Sequence, residues 1–573
     1  MWRQNQVVAV TNGPRMRRGD ASERPGWMEA LERESKGGVP SFTRPINPPS
    51  RIDRMLRITN PATGELVAEL EPTTIEGIGL MVHRARQAQR SWGAIPLEER
   101  ARLVASAAAS LKERSAAIGE LITREMGKPI AEAKGEASYA ASGLEEACAE
   151  ISAALRPETL EDERTTTTML HAPLGVAACI TPWNFPVLMC SDTVVPALVA
   201  GNTVILKPSE LSTLCALEWA KCLMAVLPPD VLQVAIGDEV QGKALVAAPI
   251  DLIAFTGSRS AGRHIMQAAA GGLKRLILEL GGKDPLVVLP DADIDAAAAF
   301  AARNSFRNAG QVCVSTERIY VHDSIAPAFT KAVIERAQQL VVGDGMQAGT
   351  QIGPMVNARQ KEHVLAQVSL AAATGARIEC GGDGGGNFIK PVVLTGVTHE
   401  MPIMQEETFG PVACIMTYRE VDEAVRLAND SPYGLGGAVF GRDEARAQEV
   451  AERLHIGMVG VNQGCGGASG SPWVGARQSG YGHHSGVSGH RQFAQVRVVS
   501  KPKPKPATPR KCHASPVVCP TTVRPGSSRG RVTMRAFGYG SPLAGASRLC
   551  MSFGRAVAAI ATLWIFAASA PAQ

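Results

Sequence analysis

The sequence has no run of about 18 or more apolar residues, and its cysteines show neither CxxC pairs nor metal-ligand spacing. The first absence predicts that no helix spans a membrane. The second leaves twelve cysteines that we interpret as reduced thiols, with no metal site. Because the N-terminus also lacks the pattern of a secretory signal peptide, we expect a cytoplasmic protein.

Acidic residues are missing from the end of the chain. Residues 501–573 hold eleven of the 59 Lys and Arg and none of the 54 Asp and Glu. The first 500 residues therefore carry 48 basic and 54 acidic residues, a net charge of −6, although the whole chain is +5. A nucleic-acid enzyme usually holds its positive charge in the folded body, so we expect no nucleic-acid partner.

Both ends of the chain differ from its middle. Residues 1–55 are rich in Pro, Arg, Gly and Ser without apolar periodicity, which indicates a disordered extension or a mis-chosen start codon. Residues 501–573 form a basic tail that begins with alternating Lys and Pro, which favour an extended, solvated chain. The tail ends with basic, apolar and then small residues, the order found in a signal peptide, so it is either a disordered tail or a fusion artefact.

The middle of the chain alternates between strand and helix patterns. Residues 73–155 show apolar residues at helical spacing, with charged residues between them. Short apolar runs then alternate with helical segments, which predicts a parallel, doubly wound α/β sheet with helices on both faces. The predicted strands are 176–180, 203–206, 232–235, 252–255 and 275–278.

Three polar motifs directly follow predicted strands. They begin at Thr181, Lys207 and Thr256. Ligands of open parallel sheets bind at the carboxyl ends of the strands, so this placement predicts a ligand site there. The context is dinucleotide-like although no GxGxxG motif is present: Gly257 and Ser258 open a helix, where backbone N–H groups favour a pyrophosphate.

Two further segments supply a thiol and a carboxylate. Gly310-Gln311-Val312-Cys313 places a cysteine on a short loop, and Glu279-Leu280-Gly281-Gly282-Lys283 places a carboxylate on a Gly-rich turn. A cysteine that attacks a carbonyl group needs a nearby base, to activate either the thiol or the water that releases the product. Alone, such a cysteine is more often an inert buried residue.

Four further motifs accompany the two segments with Glu279 and Cys313: Pro182-Trp183-Asn184-Phe185-Pro186, Lys207-Pro208-Ser209-Glu210, Phe255-Thr256-Gly257-Ser258 and Glu406-Glu407-Thr408-Phe409-Gly410-Pro411. Taken in order, these segments resemble the aldehyde dehydrogenase superfamily over about residues 55–500. The resemblance implies an α/β fold with a Rossmann-like NAD-binding domain, a second α/β catalytic domain and a small β arm that adds strands to a neighbouring subunit of a homodimer or homotetramer. By this resemblance the NAD-binding domain spans 56–154 and 174–280, the catalytic domain 281–475, and the arm 155–173 and 476–500.

The resemblance implies oxidation of an aldehyde to a carboxylic acid. Cys313 is the expected nucleophile, which forms a thiohemiacetal and then a thioester. Glu279 is the expected base for the hydrolytic water, and the Asn184 amide, with the Cys313 backbone N–H, is the expected oxyanion donor. Family members that transfer the acyl group to coenzyme A typically lack this Glu, so a CoA-acylating enzyme is the lesser alternative. A non-catalytic binding member of the fold is a second alternative.

The expected cofactor is NAD, with NADP as the alternative. A carboxylate at Glu210 accepts ribose hydroxyls and repels a 2′-phosphate. Asp192 departs from the family, in which that region often carries an aromatic wall of the substrate tunnel; a carboxylate there would suit a cationic or hydroxylated aldehyde. The expected cofactor-binding residues are Thr181, Pro182, Trp183, Lys207, Glu210, Gly237, Gly242, Gly257, Ser258, Leu280, Glu407 and Phe409.

Overall fold

The computed structural model describes residues 55–504; the predictions for the N-terminal extension and for most of the basic tail lie outside this range. Within it, no helix is long and apolar enough to cross a bilayer. The strands are β1 (Leu56–Thr59), β2 (Leu66–Leu70), β3 (Glu158–Glu161), β4 (Thr165–Pro173), β5 (Val176–Ile180), β6 (Thr203–Lys207), β7 (Leu232–Val234), β8 (Leu252–Thr256), β9 (Arg275–Glu279), β10 (Asp284–Val288), β11 (Thr316–His322), β12 (Arg377–Asp383), β13 (Ile389–Thr395), β14 (Val412–Tyr418), β15 (Gly436–Phe440), β16 (Met458–Val461), β17 (Trp473–Val474), β18 (Gly480–Tyr481), β19 (His483–His484) and β20 (Ala494–Pro502).

The helices of the described range lie mainly between these strands. They are α1 (Ile75–Ala94), α2 (Leu97–Ala105), α3 (Ala108–Met126), α4 (Ile130–Ser142), α5 (Leu144–Ala154), α6 (Pro186–Val199), α7 (Thr213–Met224), α8 (Glu239–Ala247), α9 (Arg259–Ala270), α10 (Ile294–Phe306), α11 (Ala326–Gln339), α12 (Ala358–Ala373), α13 (Pro402–Gln405), α14 (Val421–Asn429), α15 (Glu444–Glu452) and α16 (Gly486–Gln492).

A six-stranded sheet with the order β18-β9-β8-β5-β6-β7 occupies the first half of the fold. Strands β5 to β9 pair in parallel, and each of the five strands predicted from the sequence is present within one residue of its expected end. Strands β5, β6 and β8 are buried along their whole length, as expected for a sheet covered by helices on both faces.

A seven-stranded sheet with the order β12-β13-β14-β11-β10-β15-β16 forms the second half. All its neighbouring strands are parallel except the antiparallel edge pair β12 and β13. Its apolar side chains pack into one cluster, whose members come from the part of the chain between Leu286 and Leu454. The chain leaves the first sheet at Glu279 and enters the second at Asp284, so the turn between β9 and β10 links the two sheets.

A separate three-stranded antiparallel sheet has the order β20-β4-β3. Two details differ from the boundaries expected for the arm. Residues 480–481, placed in the arm by the sequence, instead pair with the end of β9 in the first sheet. Strand β20 also continues two residues into the expected tail, where Lys501 and Pro502 pair with β4.

Candidate active site

Cys313 lies on a tightly bent loop between α10 and β11. Asn308 and Ala309 adopt left-handed conformations with φ of 49° and 55°, and Gly310 follows with φ of 68°. A Cβ at Gly310 would collide with the carbonyl group of Gly410. This loop therefore needs glycine at 310, which explains the Gly directly before the Gln-Val-Cys sequence.

The Gln311 side chain fixes the same loop from within. Its amide donates to the carbonyl of Asn308 at 3.1 Å, and its oxygen accepts from the backbone N–H of Val356 at 2.8 Å. Gln311 is 1% exposed, so these bonds are shielded from water. The nucleophile is thus held on a rigid support.

The Cys313 thiol and the Glu279 carboxylate are close enough to change each other's ionisation. Burial raises the pKa of Glu279 to about 7, which contacts with Cys313 and the Trp473 indole partly oppose. The Trp473 indole N–H donates to Glu279 Oε1 at 3.4 Å. Burial also raises the pKa of the Cys313 thiol, and the charges of Glu279 and Asp284 raise it further. The thiol therefore rests in its protonated form beside a carboxylate able to accept its proton near neutral pH.

Backbone bonds from a late segment of the chain hold Glu279 in place. Ser479 is fully buried; its carbonyl accepts from the Leu280 N–H at 2.9 Å, and its hydroxyl donates to the Gly281 carbonyl at 2.6 Å. Gly480 in β18 pairs with Glu279 in β9. The sequence analysis missed Ser479, because a serine 200 residues from its partner has no local pattern.

Asn184 points its amide at the Cys313 loop. Its Nδ2 donates to the carbonyl of Gln311 at 3.1 Å, two residues before the cysteine. The Asn184 backbone carbonyl accepts from Lys128 Nζ at 2.7 Å. Asn184 therefore sits where a side-chain amide and the loop backbone can together face an oxyanion that forms beside Cys313.

Lys128 and Glu136 form a buried ion pair behind Asn184. Their charged atoms are 2.5 Å apart, and their side chains are 1% and 2% exposed. Glu136 also accepts from the backbone N–H groups of Val187 and Leu188 at the start of α6. The pair joins α4 to the helix that follows Asn184, and sequence reasoning did not identify it.

The expected cofactor residues gather at the carboxyl ends of β5, β6 and β8. Thr181 follows β5 and donates its N–H to the carbonyl of Lys207 at the end of β6. Lys207 Nζ lies 3.9 Å from the Glu210 carboxylate, which is 40% exposed. Ser258 caps α9 by accepting from the Ala261 N–H at 3.3 Å.

Glycines open the space around these residues. A Cβ at Gly242 would lie 3.8 Å from the Lys207 side chain, and Gly237 has a φ of 149° just before α8. A Cβ at Gly257 would lie 2.6 Å from the Phe255 ring. Leu280 packs so closely on α9 that a Cβ at Gly262 would lie 2.6 Å from it.

Glu407 and Phe409 reach the same region from the second sheet. The Glu407 carboxylate accepts from the Gly282 N–H at 3.0 Å, and burial raises its pKa to about 8, with the Glu317 carboxylate adding to the shift. The Phe409 ring contacts the Trp183 ring edge-on, with centroids 5.5 Å apart. Pro182 precedes that tryptophan in the turn after β5.

Glu317 holds this segment and was also missed by the sequence analysis. It accepts from the backbone N–H groups of Thr408 and Phe409, both at 2.8 Å, and pairs with Lys283 at 2.6 Å. The Lys283 and Glu317 side chains are 0% and 3% exposed. The buried pair therefore connects the turn after Glu279 to the residues beside Trp183.

These residues fit a dinucleotide. The Glu210 carboxylate is half exposed beyond a strand end and can accept ribose hydroxyls, and the Ser258 end of α9 presents backbone N–H groups of the kind that bind a pyrophosphate. Glu407 is a second carboxylate near Cys313, because both lie against the turn at Gly281 and Gly282. A Cβ at Gly281 would meet the Glu407 carboxylate, and a Cβ at Gly282 would meet the Cys313 carbonyl oxygen.

Comparisons with known proteins agree with this geometry. The model of the aldehyde dehydrogenase family matches residues 48–499. Aminoaldehyde dehydrogenase 1, peroxisomal, from Malus domestica is 38% identical over 470 residues, covering 78% of this chain and 93% of the relative. Succinate-semialdehyde dehydrogenase, mitochondrial, from Arabidopsis thaliana is 37% identical, covering 78% and 86%. Betaine aldehyde dehydrogenase from Staphylococcus aureus, solved with NAD+, superposes with a TM-score of 0.76 at 31% identity, covering 80% and 93%.

Proposed function

The chain belongs to the aldehyde dehydrogenase family, and from this premise we propose that Cys313, Glu279 and Asn184 carry out its reaction. The protein is an NAD(P)-dependent oxidoreductase that converts aldehydes to acids. The observation that carries the residue assignment is that the Cys313 thiol and the buried Glu279 carboxylate each act on the other's pKa, and that the Glu279 pKa of about 7 suits a base at neutral pH.

In the first half of the reaction the Cys313 sulfur attacks the carbonyl carbon while Glu279 takes the thiol proton. The oxygen of the resulting thiohemiacetal is held by the Asn184 amide and the Cys313 backbone N–H. Bound NAD supplies the acceptor for the hydride that leaves the former carbonyl carbon. The product of this half is a thioester on Cys313.

In the second half Glu279, after releasing its proton to solvent, removes a proton from water. The hydroxide attacks the thioester carbon, the C–S bond breaks, and the carboxylic acid leaves. Glu279 thus favours hydrolysis over transfer of the acyl group to coenzyme A. Residues Lys207, Glu210, Ser258 and Glu407 would hold the cofactor, and the Glu210 carboxylate favours NAD over NADP.

The direct test is NADH formation from a panel of aldehydes by wild type and Cys313→Ala, with and without coenzyme A. The hydrolytic assignment predicts turnover that is lost in the variant and indifferent to coenzyme A. Turnover that requires coenzyme A would support the acylating alternative. A folded protein that binds NAD but oxidises no aldehyde would support the non-catalytic alternative. Replacing Glu210 by Gln should narrow the preference for NAD over NADP.

We also assign the three-stranded sheet of β3, β4 and β20 to subunit contacts in a homodimer or homotetramer. Support comes from the large apolar side chains that this sheet exposes, Leu160, Val496, Val498 and Val499, which are 47% to 60% accessible. Sedimentation of the wild type and a Val496→Asp, Val498→Asp variant tests this assignment. A wild-type monomer would contradict it.

A reducing compartment, the cytoplasm, is our proposal for its location. The support is nine free cysteines in the described residues, six of which are buried. The Malus relative is named peroxisomal, so imaging of a tagged full-length chain in its own cells is the test.

A further inference from the structure

One face of α6 leads away from the nucleophile. Phe185, just before this helix, packs in the same apolar cluster as Cys313. Asp192 comes seven residues later, two helical turns along the same face, at about 1.5 Å of rise per residue. Phe185, Met189 and Asp192 are all partly exposed, whereas Cys190, Thr193 and Val194 face the core. Asp192 therefore lies about 10 Å from Phe185 along the same face of the helix.

The charged groups that act on Asp192 are carboxylates. Burial raises the pKa of Asp192 to about 7, and the charges of Glu279 and Glu136 raise it further. Burial raises the pKa of the Tyr139 hydroxyl in α4, and the charges of Asp192 and of Glu146 and Glu150 in α5 raise it further. A carboxylate in such surroundings gains from a positive charge more than from a neutral or negative one.

The Gly-rich loop 463–470 contacts helix α5 near these carboxylates. The Ser469 hydroxyl of this loop donates to Glu150 of α5 at 3.2 Å. Carboxylates of α5 and α6 therefore lie close to one another and to the small residues of this loop.

Two cations are to be weighed against these carboxylates: Lys128, which pairs with Glu136 at 2.5 Å, and Arg307. Arg307 lies six residues before Cys313, and its buried Nε has no hydrogen-bond partner among residues 55–504. Its charge acts on Glu132 of α4 and on Cys465 of the Gly-rich loop. The charges that act most strongly on Asp192 and Tyr139 are nevertheless those of other carboxylates.

We propose that Asp192 is a specificity-determining residue that binds an ammonium or quaternary ammonium group on the aldehyde substrate. The favoured substrate is then a cationic aldehyde with its positive charge a short aliphatic chain away from the carbonyl carbon. This inference rests on the proposed function, since it concerns the route by which aldehydes reach Cys313. It goes beyond that function by assigning a substrate charge and the residue that reads it.

The test uses substrate pairs that differ in charge but not in shape. Betaine aldehyde is compared with 3,3-dimethylbutanal, and 4-(trimethylammonio)butanal with 5,5-dimethylhexanal, so that two chain lengths are covered. Each pair exchanges a quaternary nitrogen for a carbon atom. We expect wild type to favour the cation in at least one pair, measured as the ratio of kcat/KM values. Asp192→Asn should lower that ratio about tenfold, mainly through KM of the cation, because it removes a partly desolvated charge.

Three further variants separate this role from others. Asp192→Glu should retain part of the cation preference because the charge remains. Glu449→Gln, an exposed carboxylate on α15 with the same change in net charge, should leave the ratio unaltered. Arg307→Gln should preserve or increase the preference for the cation. If Glu449→Gln lowered the ratio of kcat/KM values as much as Asp192→Asn does, Asp192 would not be the residue that sets the preference.

The outcomes separate the two levels of proposal. No NADH from any aldehyde by wild type would overturn the proposed function itself. Oxidation of both members of each pair without preference for the cation, or a ratio that survives Asp192→Asn, would overturn this inference alone. Preferential oxidation of succinic semialdehyde over both pairs would do so as well.

Discussion

The buried ion pair between Lys128 and Glu136 gives the largest stability effect we expect from a single substitution. Lys128→Met keeps the length and most of the volume of the side chain but removes its charge. Glu136 then remains as a carboxylate only 2% exposed, with the Val187 and Leu188 N–H groups as its remaining partners. Breaking one partner of a buried pair costs about 3–5 kcal/mol.

The assay is the urea midpoint of unfolding for wild type and variants at one protein concentration. Lys243→Met is the matched control, since it breaks an ion pair of similar length, 2.6 Å, whose partners are 73% and 78% exposed. We expect its loss to be about 0.2–1 kcal/mol. The double variant Lys128→Met, Glu136→Gln should recover much of the lost stability, because no unpaired charge stays buried and the amide oxygen can still accept from the Val187 and Leu188 N–H groups. A shift for Lys128→Met no larger than that of Lys243→Met would refute the reasoning.

Three other predictions concern the site. Asn184→Ala should reduce kcat by about 10²–10³-fold in steady-state assays, because it removes a donor to the oxyanion; a loss confined to KM would contradict that role. Because the pKa of Glu279 is raised to about 7 and the base must be ionised, kcat should rise with pH through about 7 and then level off. A Glu279→Gln profile that keeps this rise would assign it to another group. Gly310→Ala should lower the thermal midpoint and activity together, because φ is 68° and the added Cβ meets the Gly410 carbonyl. Gly135→Ala, at a partly exposed helical position, should not, since no atom lies within 4 Å of its Cβ.

The parallel sheet and the motif positions were predictable because their causes are local. A buried parallel strand appears as a short apolar run, and β5 has the expected bounds, Val176–Ile180. The turn at Thr181 follows this strand directly, so its position at the sheet edge follows from chain order alone. Asp192 was also singled out from the sequence, because it lies where the resembling family often carries an aromatic residue.

The supporting contacts were not predictable because they join distant segments. Glu317 lies on a strand of the second sheet, yet its oxygens fix the backbone of Thr408 and Phe409, about 90 residues later. Ser479 was hidden in a segment expected to belong to the arm, and it holds Leu280 and Gly281 instead. Such residues carry no periodicity or motif, and only the folded arrangement of β9, β10 and β18 brings them to the site.

The central claim is that Cys313 forms the thioester and Glu279 is needed to hydrolyse it. Rapid mixing of Glu279→Gln with NAD and an oxidisable aldehyde tests this claim most directly, with intact-protein and peptide mass spectrometry of the quenched enzyme. We predict NADH of at most one equivalent per active site, formed more slowly than by wild type because Glu279 also takes the thiol proton. Still slower steady-state turnover should follow, with an acyl group on Cys313. Steady-state turnover at the wild-type rate, or an acyl group on another cysteine such as Cys465, would contradict the account.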